Sequence, residues 1–174
     1  IGGDGSNTTF NVATVNIEAD GTRIPVPYAL PPGVMRERFY STSSYTQQNE
    51  QSLSMTVEDL SDGDARAIYK NVEYDFRSYK NLKMYVHDEK VRELDNPQTG
   101  ELTLFMRIGS DFTSNYYEYE MPLHYTPWGT SVNDNQIIWP SENEIILDQD
   151  QLVEIKESRN RKIRSGSTEY SNSQ

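Results

Sequence analysis

Two histidines and 27 carboxylates are the groups in this 174-residue chain that could move a proton or hold a metal ion. Their spacing decides what they can do. His87-Asp88-Glu89 sets three ligand types side by side, but neighbours on a strand point to opposite faces and no second histidine is spaced to join them. The triplet reads as a strand end entering a polar loop. His124 stands beside Tyr125 and follows Pro122, with no Gly-x-Ser-x-Gly elbow or other nucleophile motif near it. With 27 carboxylates, some pair falls at glycosidase separation by chance, so spacing singles out none. The absence of cysteine removes thiolate nucleophiles, disulfides and thiolate metal sites. Asp59, Asp62 and Asp64 around Gly63 offer the hard oxygens that calcium prefers, yet the EF-hand pattern with its distant Glu is missing and a plain turn accounts for them. These residue types argue against catalysis, and neither cofactor nor metal is expected.

The aromatic residues are the other candidates. Twelve tyrosines against two tryptophans and five phenylalanines suit a β-rich surface, because tyrosine packs its ring on a pleated sheet and keeps its hydroxyl wet. Tyr85, Tyr116, Tyr117 and Tyr119 could form a stacking face for sugar rings; the competing reading places some in the core and the rest over a sheet. Trp128 and Trp139, each next to glycine or proline, read as loop anchors. These six residues form the candidate surface for a ligand or partner.

The elements that must position them are mostly strands. Leu53, Met55 and Val57 share one face of a period-two segment, as do Leu82, Met84 and Val86, and again Leu102, Leu104, Met106 and Ile108. These ten side chains form the expected core. Asn115 to Met121 alternates too, and pairs with 101–109 through the turn at Gly109-Ser110-Asp111. Val15 and Ile17, then Asp20-Gly21, then Arg23 to Val26 give a hairpin signal, with Asp-Gly supplying positive φ. Prolines 25, 27, 31 and 32 turn the next stretch into an edge or a surface crossing, and the polar run 41–52 reads as a loop. Shorter strands are expected at 66–71, 135–139 and 144–147. Asp148 with Gln151 suggests a capping box, opening a helix whose last turns are basic.

Many short strands with turn signals and no βαβ spacing predict an all-β fold, an antiparallel β-sandwich of jelly-roll or galactose-binding-like type with one C-terminal helix. The expected organisation is a flexible segment at 1–10, a sandwich at 11–147, the helix at 148–164 and a disordered tail at 165–174.

Charge narrows the partners. The net charge is -11; the stretch from Lys156 to Arg164 carries +4, which leaves -15 on the rest. Such a body repels phosphate backbones and anionic head groups, so no nucleic acid partner is expected. No apolar run approaches the ~20 residues of a membrane helix, so no direct membrane insertion is expected. Residues 1–5 have neither a basic nor an apolar leader region, and the chain is expected to be a piece of a longer protein.

Strings of residues add what periodicity cannot. Asn11-Val12-Ala13-Thr14-Val15, Tyr28 to Val34 (Tyr-Ala-Leu-Pro-Pro-Gly-Val), Asp62-Gly63-Asp64-Ala65-Arg66-Ala67, Tyr79 to His87, Arg107-Ile108-Gly109-Ser110-Asp111, Asn115 to Glu120 and Trp139-Pro140-Ser141-Glu142-Asn143-Glu144 occur in an order that resembles the SprA/Sov family. That family is the outer-membrane translocon of type IX secretion, needed for gliding motility and export at the cell surface of Bacteroidetes. The resemblance implies a non-catalytic, soluble module that shapes the channel's cap or vestibule on the extracellular side. It implies translocon accessory proteins and secreted cargo as partners, and no catalytic residue to carry over. The competing reading is a carbohydrate-binding module of a surface enzyme, with a glycan as ligand. Either way the isolated chain is expected to be a monomer.

Overall fold

The computed structural model of the chain describes residues 7–40, 45–73, 75 and 78–166. In chain order its elements are β1 (Thr9–Asn16), α1 (Ile17–Asp20), β2 (Arg38–Tyr40), β3 (Tyr45–Gln47), β4 (Gln51–Glu58), β5 (Asn81–Tyr85), β6 (Asp88–Glu89), β7 (Thr103–Gly109), β8 (Tyr116–Pro122), β9 (Tyr125–Thr126), α2 (Asn135–Ile138), β10 (Glu144–Asp148) and α3 (Gln149–Arg164). The fold is all-β with one C-terminal helix, consistent with an antiparallel sandwich. Its strands pair in twos: β1 with β4, β2 with β3, β5 with β10 and β7 with β8, all antiparallel, while β6 and β9 form a short parallel bridge.

The segments with the plainest alternation are strands, at β4, β5, β7 and β8. The β7–β8 hairpin forms in the register that sets Ile108 opposite Tyr117 and Leu104 opposite Met121. Its tip is organised by one side chain. Asp111 Oδ1 accepts the backbone N–H groups of Thr113, Ser114 and Asn115 at 2.9, 2.6 and 3.1 Å, and Oδ2 accepts Asn115 Nδ2–H at 2.5 Å. Gly109 is required beside it, since a Cβ there would lie 2.2 Å from the Asn115 carbonyl oxygen. The helix begins where the sequence places it, although the Asp148 carboxylate caps the N–H of Asp150.

Several expectations are overturned. No hairpin forms at Asp20-Gly21. β1 pairs with β4 instead, and α1 follows it, capped by Asn16 Oδ1, which accepts the N–H groups of Glu18 and Ala19. Gly21 has a φ of -62°, so it supplies no positive φ. It is glycine because a Cβ would lie 2.5 Å from the Ile17 carbonyl oxygen. In place of the strand expected at 135–139, residues Asn135–Ile138 form α2 and Trp139 caps it; Ile138 and Trp139 are buried in succession, which a strand with one covered face cannot do. No strand forms at 66–71, where Ile68 and Tyr69 are exposed. The 41–52 loop contains β3 and the start of β4; residues 41–44 lie outside the described residues. The expected flexible ends fall mostly at 1–6 and 167–174, also outside them, but Thr9 and Phe10 belong to β1 and Ser165 closes α3 on the Arg161 carbonyl.

The core is also displaced. One cluster gathers Val26, Tyr28, Ala29, Ile138 and Trp139, with Val15, Ile17 and Tyr85 against it. The other gathers Met121, Leu123, Ile145 and Leu147, with Leu82, Val86, Leu104, Met106 and Ile108 packed around it. Of the ten expected core residues none is fully buried, and Leu53, Met55, Met84 and Leu102 are exposed. The reason lies in the two-stranded pairing: a ribbon without a covering layer leaves an alternating apolar face open. The prolines at 25 and 27 do not keep their segment on the surface either, because Val26 and Tyr28 between and beyond them point inward.

Ile138→Ala and Ile145→Ala, both in fully buried positions, are expected to cost about 2–5 kcal/mol, whereas Leu53→Ala and Met55→Ala should stay within about 0.5 kcal/mol of the parent. Urea denaturation measures both, and the reverse ranking would move the core back to the strand faces.

The four bonds to Asp111 hold its carboxyl well below the ordinary carboxylate range, with Asn115 the largest cause. A depressed folded value means that these bonds are fully present above the unfolded value of about 4 and are lost only as pH falls through the lower folded one. The amide resonances of Thr113, Ser114 and Asn115 should therefore hold their positions as pH falls through 4 and move only in stronger acid. Asp111→Ala should abolish that late transition; a mid-point at the ordinary carboxylate value would contradict the arrangement.

Candidate functional site

Prolines 25, 27, 31 and 32 leave the strap 25–32 short of N–H donors, so what it needs from the rest of the fold is donors to its carbonyls. They come from three segments: the turn at 127–130, α2 with its cap, and β5. The Gly129 N–H reaches the Pro25 carbonyl at 3.2 Å, Trp139 Nε1–H reaches Ala29 at 3.0 Å, Asn135 Nδ2–H reaches Leu30 at 2.7 Å and the Tyr85 hydroxyl reaches Pro32 at 2.8 Å. Tyr28 ties the strap backward: its N–H reaches the Asp20 carbonyl at 2.9 Å, and its hydroxyl lies 2.6 Å from Ser52 Oγ on β4.

Trp139 is the centre of this arrangement. Tyr28 and Tyr85 meet it edge to face with centroids 6.4 Å away, and His87 does so at 5.8 Å. His87 continues the chain of contacts. Nδ1 lies 2.8 Å from the Ile138 carbonyl oxygen, Nε2 lies 3.2 Å from Glu89, and Glu89 pairs with Arg23 at 2.5 Å. Burial pushes the neighbouring Asp88 carboxyl up from its ordinary value. Both ring nitrogens of His87 are thus committed to structural oxygens. His124 contributes its backbone: its N–H donates to Asn143 Oδ1 at 2.7 Å, and Asn143 Nδ2–H donates to its carbonyl at 2.8 Å, so the fully buried Asn143 is satisfied.

Beside Trp139 opens a cleft of about 500 Å³, lined by Pro32, Tyr85, Gln136, Trp139, Pro140, Ser141, Glu142 and Glu144. Its acids are engaged. Glu144 meets Lys83 at 3.2 Å, and the Glu142 backbone N–H and the Ser141 hydroxyl hold the Glu142 carboxyl below its ordinary range.

Of the six candidate surface residues, the structure brings Tyr85 and Trp139 together in this cleft and separates the others. β8 carries Tyr117 and Tyr119 on its inner face. Tyr119 packs on the second cluster, and Tyr117 helps line a groove of about 240 Å³ beneath α3 with Leu82, Leu147 and Leu152. Tyr116, on the other face, lies 4.5 Å from the Arg107 guanidinium. Trp128 lies under the Lys90 ammonium at 5.5 Å. Among the described residues no group of three or more His, Asp or Glu converges to hold a metal; Asp62 and Asp64 belong to a turn closed by Asp64 N–H on the Ser61 carbonyl. Asn135 and Asn143, on which the site depends, gave no signal in the sequence, since asparagine in a loop ordinarily reads as turn chemistry.

Two comparisons bear on identity. A family model described as motility related/secretion protein, SprA N-terminal, matches residues 2–174. No curated protein matches the chain.

Trp139→Phe keeps an aromatic ring but removes the indole N–H and strands the Ala29 carbonyl, which should cost at least about 1–3 kcal/mol in urea denaturation. Tyr85→Phe removes a bond in an exposed position and should cost less, about 0.5–1.5 kcal/mol. Equal midpoints for Trp139→Phe and the parent would mean that the buried bond does not hold the strap.

Proposed function

Because the chain belongs to the SprA N-terminal family of motility related/secretion proteins, we propose that it is a non-catalytic module of the type IX secretion translocon of the outer membrane. In this reading it forms part of the channel's cap or vestibule and meets secreted cargo and accessory proteins there. The family match along residues 2–174 carries the proposal.

The geometry agrees with a role exercised by shape and contact. The side chains that could do chemistry are bound into architecture: His87 between Ile138 and Glu89, Trp139 to Ala29 and Tyr85 to Pro32. No described helix is long and apolar enough to cross a membrane. The acidic body would repel anionic head groups, which favours a position away from the lipid surface. We place the module on the extracellular side, where outer-membrane barrels carry their longest insertions. A glycan-binding role gains little from the cleft, because the edges of Tyr28, Tyr85 and His87 close around Trp139, which is 8% exposed and offers no open ring face for a sugar.

Removing residues 11–147 from the parent protein should impair export or release of cargo while the shortened protein still reaches the outer membrane. Fractionation with immunoblotting and a secretion assay read the two outcomes separately. Normal export by an abundant, correctly inserted deletion variant would end this reading.

A further inference from the structure

Aspartate followed by glycine is a sequence at which a polypeptide readily rearranges its own backbone, because the glycine nitrogen has no Cβ beside it to hinder its attack on the aspartate carboxyl. The chain holds three such pairs, Asp4-Gly5, Asp20-Gly21 and Asp62-Gly63. The first lies outside the described residues. The attack requires the peptide plane between the two residues to turn until the glycine nitrogen faces the aspartate Cγ. That rigid plane also carries the aspartate carbonyl, so whatever holds the carbonyl holds the nitrogen too.

The fold treats the two described pairs oppositely. At Asp20-Gly21 the Asp20 carbonyl accepts the N–H groups of Arg23 and Tyr28 at 3.1 and 2.9 Å, and Asp20 Oδ2 accepts the Asn16 N–H at 2.8 Å. Both residues are half-buried, and turning this plane would break the bond that ties the strap to α1. At Asp62-Gly63 both residues are exposed. The bond that closes this turn, from the Asp64 N–H to the Ser61 carbonyl at 3.0 Å, uses neither the Asp62 carbonyl nor the Gly63 nitrogen. Among the described residues nothing bonds to the Asp62 carboxylate, and a Cβ built at Gly63, whose φ is +79°, would meet nothing within 4 Å. This plane is free to turn.

We propose that Asp62-Gly63 is a site of spontaneous modification, at which the folded chain converts aspartate to isoaspartate, while its bonds to the strap protect Asp20-Gly21. The Gly63 nitrogen bonds to Cγ of the protonated Asp62 carboxyl, whose hydroxyl leaves with the amide proton as water. Water then opens the resulting succinimide at either carbonyl. Opening at Cγ restores aspartate. Opening at the main-chain carbonyl leaves Gly63 joined through Cγ, so the backbone gains a methylene and the free carboxylate moves to Cα. The water released is consumed again and nothing is oxidised, so the loop after β4 is reshaped with no change in mass. This inference comes from the two turns alone and stands or falls apart from the translocon reading.

The test keeps the full chain folded at neutral pH and body temperature for several weeks. Isoaspartate is then read at each pair by electron-transfer fragmentation of proteolytic peptides, and in total by methyl transfer from a protein isoaspartate methyltransferase. It is expected to accumulate at Asp62 at least about tenfold faster than at Asp20, where reaction must wait for a local opening. In concentrated urea the two rates should converge to within about threefold, since both pairs then share the freedom of an unfolded chain. Asp62→Glu, which would have to close a six-membered ring, should remove the signal at that position and keep the far-UV circular dichroism of the parent. Equal accumulation at Asp20 and Asp62 in the folded chain would overturn the proposal. So would a preference for Asp62 that persists unchanged in urea, which would assign it to neighbouring residues and not to the fold. Isoaspartate formed at Asp62 in urea but not in the folded chain would mean that the turn protects the pair, and would overturn it as well.

Discussion

A run of backbone carbonyls in which every second residue, on average, is a proline without an N–H is the constraint around which this molecule is arranged. Buried polar backbone must be paired, and the prolines of the strap 25–32 remove the donors that a strand would use. Trp139, Asn135, Tyr85 and Gly129 therefore converge on it. α2, β5 and the turn at 127–130 are held together by this demand as much as by apolar contact. Val26, Tyr28 and Ala29 fill the space enclosed between them.

The same requirement binds chemically capable side chains into the architecture. An imidazole with a carbonyl on one nitrogen and a carboxylate on the other is a cross-link between segments, and His87 joins α2 to β6 in this way. Asn143 does the equivalent for the backbone of His124, linking the entry of β9 to the turn before β10. Between the two clusters stands the β5–β10 ribbon, with Tyr85 on the face toward the strap and Leu82 and Leu147 on the face toward β7 and β8. Among the described residues it is the one ribbon that shares in both cores.

Strand identity was legible wherever alternation ran for five or more residues, as at Leu53 to Val57 and Leu104 to Ile108, because the period-two pattern is local. Helix α3 was legible for the same reason: its cap at Asp148 and its basic last turns are near neighbours in sequence. Burial was not. Alternation says that a strand has two unlike faces, not that another layer covers the apolar one, so Leu53 and Met55 look like core residues and are exposed. The strap was misread because proline argues against a strand without arguing for the surface. In the candidate site, Tyr85 and Trp139 were legible as aromatic residues of interest. Their meeting was not, since it depends on α2 replacing an expected strand and on asparagines whose partners lie far along the chain.

Those distances have a consequence for the order of assembly. The Trp139–Ala29 and Asn135–Leu30 bonds span 110 and 105 residues. Contacts of such high contact order form late, after the entropy of closing the intervening loop has been lost. During synthesis the strap emerges early and waits for Trp139, leaving Val26 and Tyr28 uncovered while the β7–β8 hairpin can already close on its own. A segment made early is thus among the last to reach its final place.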